Sequence, residues 1–164
     1  MDKILPGMAM LAVAAAVIIM IYRGWRSRQQ RQDALEPLPA VPELGEPDLA
    51  VVGQYVTTTT AGDWLDRVAV HGLGIRSRAG LAVHAGGVLI TRPGCEELFI
   101  PAASLQEVAR TSGMAGKFLG QDRIVVATWR LGEQSLDTGF MPGDAADTEP
   151  LQHALKRLLG QAGA

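Results

Sequence analysis

The longest apolar run lies at the start of the chain, where Ile4 to Tyr22 contains no charged side chain. As a helix, with a rise of 1.5 Å per residue, the run would span roughly 28 Å, close to the thickness of a bilayer's hydrocarbon core. Only Asp2 and Lys3 precede it, whereas four arginines follow it within a few residues. The sequence therefore predicts a membrane segment over residues 1–28, with its core at 4–22. The arginines that follow it are Arg23, Arg26, Arg28 and Arg31.

The distribution of these charges predicts an orientation as well as a span. Cytoplasmic flanks of membrane helices are enriched in Arg and Lys, so the N-terminus is expected outside and the remainder of the chain in the cytoplasm. A cleaved signal peptide would carry its charges before the apolar run and a small-residue cleavage site after it. The charges here follow the run, which favours a single-pass anchor in the inner (plasma) membrane. The four arginines are also candidate contacts for anionic headgroups.

Residues 29–50 interrupt the pattern with four prolines and several acidic side chains. Proline excludes a regular helix interior and a central strand, and the charges keep the segment solvated. The segment is therefore predicted to be a semi-rigid, partly polyproline spacer.

From Val51 onward, short runs rich in β-branched residues alternate with glycine and proline turns, a pattern typical of antiparallel strands. Gly86-Gly87 and Pro93-Gly94 are strong turn dipeptides within this region. Eight strands are predicted between residues 51 and 140. They are Gln54–Thr60, Gly72–Ser77, Gly80–His84, Gly87–Thr91, Glu97–Pro101, Gln106–Arg110, Arg123–Arg130 and Ser135–Phe140.

The chain's last periodic segment predicts one amphipathic helix. Leu151, Leu155, Leu158 and Leu159 recur at helical spacing, Asp147 or Thr148 can cap the start, and Gly160 is a natural stop. Several antiparallel strands closed by one helix indicate an α+β, mainly β fold. The predicted domain, residues 51–160 with a short tail at 161–164, is a bent sheet or partly open barrel on the plan of pleckstrin-homology-like (PH-like) domains.

The segment GMAGKFLGQDRIVVATWRLGEQSLDTGF, residues 113–140, resembles the recurring core of small actinobacterial membrane proteins that carry a bacterial PH-like domain behind one N-terminal membrane helix. The layout of the chain from Ile4 to Leu159 is similar to that family as well. Some members are labelled transporters, and many are encoded beside pyrimidine-synthesis genes. The resemblance implies a fold and a topology, and it transfers no catalytic residue.

Composition narrows the function further. The formal net charge is −2 and the pI is about 5.9, whereas domains that bind nucleic acid phosphates are usually strongly basic. Cys95 is the chain's one cysteine, so neither an intramolecular disulfide nor a cysteine metal cluster can form. His71, His84 and His153 lack metal-ligand spacing. No nucleic acid, metal or cofactor is expected.

Two short motifs suggest chemistry but lack the partners that it requires. Asp137-Thr138-Gly139 matches an aspartic protease motif, but such enzymes need two carboxylates that share a proton, and this chain supplies one. Gly116-Lys117 resembles a phosphate loop, but Phe118 stands where the magnesium-binding hydroxyl belongs. The first motif is interpreted as strand-end and turn chemistry and the second as a strand connection, and the protein is predicted not to be an enzyme.

Two surfaces remain as candidate contacts. The glycine-rich connection at 111–122 carries Met114, Lys117, Phe118 and Leu119, which would either touch a membrane or partner, or fold back as a cap. Arg76, Arg78 and Arg92 lie on or near early strands, where an anionic lipid could bind.

Three functional hypotheses follow from this layout. The first is a non-enzymatic, membrane-anchored binding or scaffold protein that contacts a protein partner or a second copy of itself through the PH-like domain. The alternatives are a peripheral module that senses anionic lipid and an accessory subunit of a membrane transport complex.

Overall fold

The computed structural model describes residue 13, residues 15–20, 35–114, 117–118 (backbone only) and 122–163. The chain divides into two units, residues 1–34 and residues 35–164. In the first unit, residue 13 and residues 15–20 are helical with exposed side chains. Across the described residues, no helix has both the length and the apolar character that a membrane crossing requires. Most of the predicted span 4–22 and the four arginines after it lie outside the described residues, and the membrane anchor stays a prediction.

The second unit is built on an eight-stranded antiparallel sheet with the order β5-β4-β3-β1-β10-β9-β6, in which β2 pairs beside β1. A separate two-stranded hairpin is formed by β7 and β8. The strands are β1 Leu49–Thr60, β2 Asp63–Arg67, β3 Ser77–His84, β4 Gly87–Thr91, β5 Leu98–Pro101, β6 Leu105–Thr111, β7 Gly113–Met114, β8 Lys117–Phe118, β9 Ile124–Leu131 and β10 Gln134–Pro142. The sheet does not close, because β5 and β6 end its order.

Strand β1 joins the two halves of the sheet. Its first part pairs with β3 and its last part with β10, and residues 53–55 pair with both neighbours. A bulge at Val56 shifts the register between Tyr55 and Thr57. Bulges bend a strand and increase its twist, so this one turns β1 from one half-sheet into the other.

The C-terminal helix α1, Thr148–Ala162, covers the core. Leu151, Leu155 and Leu158 are buried, as the leucine periodicity predicts, and α1 packs chiefly against β6 and β9. Trp129 and Phe140 lie fully inside the same cluster. The prediction of a mainly β, open antiparallel sheet with one C-terminal helix is confirmed.

Several details of the predicted pattern differ from the structure. Gly72–Ser77 is not a strand before residue 77, because His71 and Gly72 adopt positive φ angles of 55° and 65° and turn the chain after a single 3₁₀ turn. The sequence pattern did not reveal β2, nor the two-residue strands β7 and β8. The helix also continues past Gly160 to Ala162.

The Pro-rich segment has no helix or strand between residues 35 and 48. Leu35 is buried and Leu38 packs beside it against the core, so this half of the predicted spacer lies along the domain. Strand β1 begins at Leu49. The folded unit therefore starts upstream of Val51.

Candidate functional site

The hairpin of β1 and β2 displays two large apolar side chains. Trp64 is 52% exposed and Leu65 is 73% exposed on β2. Gly62, at φ 79°, allows the tight turn that reverses the chain between the strands. Thr60 donates a hydrogen bond to Asp66 over 2.9 Å, which ties the end of β2 to β1. The hairpin thus holds an aromatic ring beside the sheet without burying it.

A row of polar side chains crosses the sheet next to this hairpin. The register aligns Thr59 of β1 with Asp137 of β10, Asp137 with Thr128 of β9, and Thr128 with Glu107 of β6. Neighbouring strand positions in register place their side chains on one face. This face of the second half-sheet is opposite the main core and is called the outer face below.

Asp137 is fixed in this row by two donors. Its Oδ1 accepts a hydrogen bond of 2.7 Å from the Thr128 hydroxyl, and its Oδ2 accepts one of 3.1 Å from the Gly62 backbone N–H. Only 6% of the residue is exposed. The sequence analysis interprets Asp137 as strand-end and turn chemistry. It lies inside β10 and not at a strand end, and its carboxylate anchors the turn of the neighbouring hairpin.

These elements enclose an open groove of about 320 Å³, called the Trp64 groove. The 61–64 turn forms one end, and strands β6, β9 and β10 form the floor. Trp64, Glu107, Asp137 and Thr128 line it together with the apolar side chains of Ala109 and Val126. Arg110 and Thr111 of β6 complete the lining.

The carboxylates of the Trp64 groove have no cationic partner within the described part of the chain. The ion pair found among those residues joins His153 to Glu149 on α1, at 4.0 Å and exposed to solvent. Glu107 is exposed and Asp137 is held by neutral donors alone. The groove therefore presents two carboxylates beside an aromatic ring.

Sequence reasoning missed this groove because β2 was not predicted. A usable signal was present, since Trp64 stands between Asp63 and Asp66 in a short segment flanked by turns. An aromatic residue among acids in such a segment has no core periodicity to bury it. Its juxtaposition with Glu107 and Asp137 depends on the pairing of five strands, β2, β1, β10, β9 and β6.

Met114, in the predicted contact loop, lies on the outer face beside Val126, which also lines the groove. Met114 is 3% exposed and forms a small apolar cluster with Val56, Ile124 and Val126. A Cβ atom at Gly139 would lie 2.5 Å from the Met114 sulfur, so glycine makes room for it. Met114 thus packs onto the sheet. Lys117 and Phe118 form β8, which pairs with β7, and Leu119 lies outside the described residues.

The three arginines of the early strands occupy different environments. Arg78 is exposed on β3, and Arg76 is exposed and donates to the side-chain oxygen of Gln54. Arg92 is 4% exposed and donates to the carbonyls of Gly72 at 2.7 Å and Glu96 at 3.1 Å. Its guanidinium lies 4.6 Å from the centre of the Tyr55 ring. This placement makes Arg92 a structural residue, because a surface lipid cannot reach a guanidinium already held by two carbonyls.

Tyr55 connects Arg92 to a buried hydrogen-bond network. The Tyr55 hydroxyl donates to the Leu73 carbonyl at 2.8 Å and lies 2.6 Å from the Thr58 hydroxyl. Thr58 in turn contacts Thr138, which accepts a hydrogen bond from the Trp129 indole N–H. Burial raises the pKa of Tyr55 to about 12, and the Thr58 hydrogen bond and the charge of Arg92 oppose part of that rise.

The raised pKa predicts a loss of stability in alkali. Between pH 10 and 12 the unfolded chain releases the Tyr55 proton while the folded chain retains it, so the free energy of unfolding falls as pH rises. The loss attributable to Tyr55 is about 2 kcal/mol at pH 11.5. Urea unfolding at a series of pH values checks it, with Tyr55→Phe as the control. If the variant and the parent lose stability equally above pH 10, the burial of this hydroxyl is contradicted.

The remaining titratable candidates do not assemble into a metal site. Within the described ranges, no group of three or more His, Cys, Asp or Glu side chains could hold a metal ion. His84 is buried on β3, and His153 lies exposed on α1. Cys95 is a half-buried free thiol near Gly72.

An open antiparallel sheet, bent at β1 and covered by one C-terminal helix, defines a PH-like domain. The profile described as "Bacterial PH domain-like" matches residues 35–156. The chain belongs to this bacterial PH-domain-like family. The match starts at Leu35, where the folded unit also starts.

One solved structure agrees with that assignment at the level of fold. A chain in a structure described as "The 8S snRNP Assembly Intermediate" superposes with a TM-score of 0.52 at 7% identity, covering 76% of this chain and 90% of that one. A structure of Vav1 inhibited by an allosteric inhibitor gives 0.43 at 13% identity, covering 86% of this chain and 34% of that one, which is too low to carry an argument. No protein with a curated description matches the sequence.

Proposed function

We propose that this protein is a non-enzymatic binding module that contacts a protein partner through the surface around Trp64. In this proposal the apolar segment 4–22 anchors the chain in the plasma membrane and presents the PH-like domain to the cytoplasm. The observation that carries the binding role is the exposure of Trp64 and Leu65 beside the Trp64 groove. Aromatic side chains of this kind dominate the energetics of many protein interfaces.

The position of these residues supports a contact surface over an incidental exposure. Trp64 and Leu65 lie on β2, which among the described strands pairs with the end of β1 alone, at Thr59 and Thr60. A partner that covers these two side chains removes their apolar surface from water. Each Å² of apolar surface buried in this way favours binding by about 25 cal/mol. A surface that combines exposed apolar side chains with a concave polar floor is typical of recognition sites.

Site-specific photocrosslinking tests the proposal. A benzoylphenylalanine introduced at Leu65 of the full-length chain is irradiated in intact cells, and the same probe at Glu133, in the exposed turn between β9 and β10, is the control. We expect one or a few discrete protein adducts from position 65 and none of the same mass from position 133. If the two positions give the same adducts, or position 65 gives none, the binding role of this surface is contradicted.

The membrane topology has its own test. When a protease is added outside intact cells, we expect the C-terminal domain of the protein to resist digestion. Digestion of residues 35–164 under those conditions would contradict the cytoplasmic placement. It would leave the fold and the Trp64 groove unaffected.

A second candidate is contact with anionic lipid through the first half-sheet. Ile75 is 59% exposed, and the exposed Arg76 and Arg78 follow it closely. An apolar side chain followed by two cations matches the chemistry of an anionic membrane surface. This candidate no longer includes Arg92, whose guanidinium is buried.

Fluorescence quenching separates the lipid candidate from the protein candidate. A bimane label at Ile75→Cys, in a Cys95→Ser background, is measured in full-length protein reconstituted in phosphatidylcholine vesicles with or without phosphatidylglycerol. Lipid contact predicts quenching by a lipid-soluble quencher that requires phosphatidylglycerol and weakens in Arg78→Gln. Equal quenching in both vesicle types would remove the lipid candidate.

A further inference from the structure

We propose that the Trp64 groove binds the cationic end of one lysine or arginine side chain carried by the partner protein. This inference rests on the proposed function and adds the chemistry of recognition to it. The groove combines two carboxylates, an exposed indole and an apolar floor within about 320 Å³. Its volume lies at the lower end of ligand pockets, which suits a single long side chain.

The carboxylates supply the charge. Glu107 and Asp137 are separated in the register by Thr128 alone, so both border the same part of the floor. Asp137 is 6% exposed, and each of its oxygens accepts one hydrogen bond from a neutral donor. A carboxylate oxygen has two acceptor positions, so each keeps capacity for a further donor. Within the described residues neither carboxylate is paired with a cation.

The burial of Asp137 strengthens the attraction between its carboxylate and a cation. A buried carboxylate interacts with a nearby cation through a medium less polarisable than water, which increases the attraction. Glu107 is exposed and can rotate toward an incoming group. A guanidinium or ammonium entering the groove would meet one fixed and one adjustable acceptor.

Trp64 and the floor supply the remaining contacts. The face of an indole ring attracts a cation within about 6 Å of its centre. Ala109 and Val126 offer an apolar surface to the aliphatic stem of lysine or arginine. An acidic or neutral polar side chain would gain neither the attraction to the ring nor the pairing with the carboxylates.

Arg110 lies on the other face of β6 from Glu107. The two residues are three positions apart on the strand, and successive side chains point to opposite faces of a sheet. The register puts Glu107 beside Thr128 on the outer face and Arg110 beside Val125, which belongs to the main core cluster. The Arg110 side chain therefore leaves the face that Glu107 and Asp137 share.

An NMR titration of the full-length chain in neutral detergent tests the cation requirement. The probes are two acetylated Gly/Ser peptides of equal length, one with a central arginine and one with citrulline, which keeps the shape but not the charge. The indole N–H signal of Trp64, assigned with Trp64→Phe, is followed. We expect the arginine peptide to shift this signal with a millimolar Kd that weakens with added salt, and the citrulline peptide to bind at least fivefold more weakly.

Variants of Glu107 complete the test, because this residue is exposed and its replacement should not disturb folding. Glu107→Gln should weaken the arginine peptide about fivefold, and Glu107→Arg should abolish its effect on Trp64. Glu133→Gln removes a matched exposed carboxylate outside the groove and should leave binding unchanged. Equal binding of the two peptides, or undiminished binding to Glu107→Arg, would overturn the inference.

The two proposals fail in distinguishable ways. A crosslinked adduct from position 65 that persists in Glu107→Arg would overturn recognition of a cation while the binding role stands. Arginine-peptide binding without any adduct from position 65 would contradict the proposed function and leave the groove's chemistry supported.

Discussion

Replacing Gly53 by alanine is expected to lower the free energy of unfolding by about 3 kcal/mol. Gly53 lies where β1 pairs with β3 on one side and with β10 on the other. A Cβ atom there would lie 2.3 Å from the Met141 carbonyl oxygen and 2.9 Å from the Pro142 Cα. Both are backbone atoms, so the strands themselves must separate to accommodate one methyl group.

Gly86→Ala is the matched control, because a Cβ atom at Gly86 would meet nothing within 4 Å. Its stability should stay within about 0.5 kcal/mol of the parent. Urea unfolding of the full-length chain, followed by circular dichroism, measures both variants. Equal stability of the Gly53 and Gly86 variants would contradict the close approach of β1 and β10 at Gly53.

The second large effect is expected at Arg92. Truncation to alanine removes two hydrogen bonds from a charged donor, the contact with the Tyr55 ring and the packing of a buried side chain. Each charged hydrogen bond contributes about 1.5–3 kcal/mol, and solvent can replace part of this at the Glu96 carbonyl. We therefore expect the free energy of unfolding to fall by about 3 kcal/mol.

Two comparison variants sharpen the test of Arg92. Arg92→Lys keeps the charge but lacks the planar fork that reaches two carbonyls, so it should recover only part of the stability. Arg78→Ala removes an exposed arginine and should change stability by less than about 0.5 kcal/mol. If Arg92→Ala unfolds with the same urea midpoint as Arg78→Ala, Arg92 is not a structural residue.

The sequence predicted the elements whose own pattern determines them. Leu151, Leu155 and Leu158 repeat at helical spacing and are buried on α1. Gly87–Thr91 is bounded by turn dipeptides and forms β4 with the same limits. Hydrophobic periodicity is enough to predict these elements because each of them buries one face against the core, whichever elements it packs against.

The sequence did not predict features that arise from pairing between distant segments. The sequence of Gly72–Ser77 resembles a strand, but Leu73 is buried in a turn. Its carbonyl accepts a hydrogen bond from the Tyr55 hydroxyl. Arg92 resembles a surface cation, and only the fold surrounds it with the 70–74 and 92–96 loops. The spacing of residues along the sequence does not reveal the environment of Leu73 or of Arg92.

The Trp64 groove shows the same limitation for function. Trp64, Glu107 and Asp137 lie far apart in sequence and are brought together by the pairing of five strands. The Asp-Thr-Gly motif drew attention to Asp137 for catalysis, whereas its carboxylate anchors the 61–62 turn. The chemistry of the groove follows from strand pairing, which a motif of three residues does not encode.

The yield of the crosslink from position 65 in full-length variants tests the central claim most directly. The claim predicts that Trp64→Ala and Glu107→Arg each reduce the partner adduct at least tenfold, while Glu133→Gln leaves the yield unchanged. An adduct that forms equally well in Trp64→Ala and in the parent chain would contradict it.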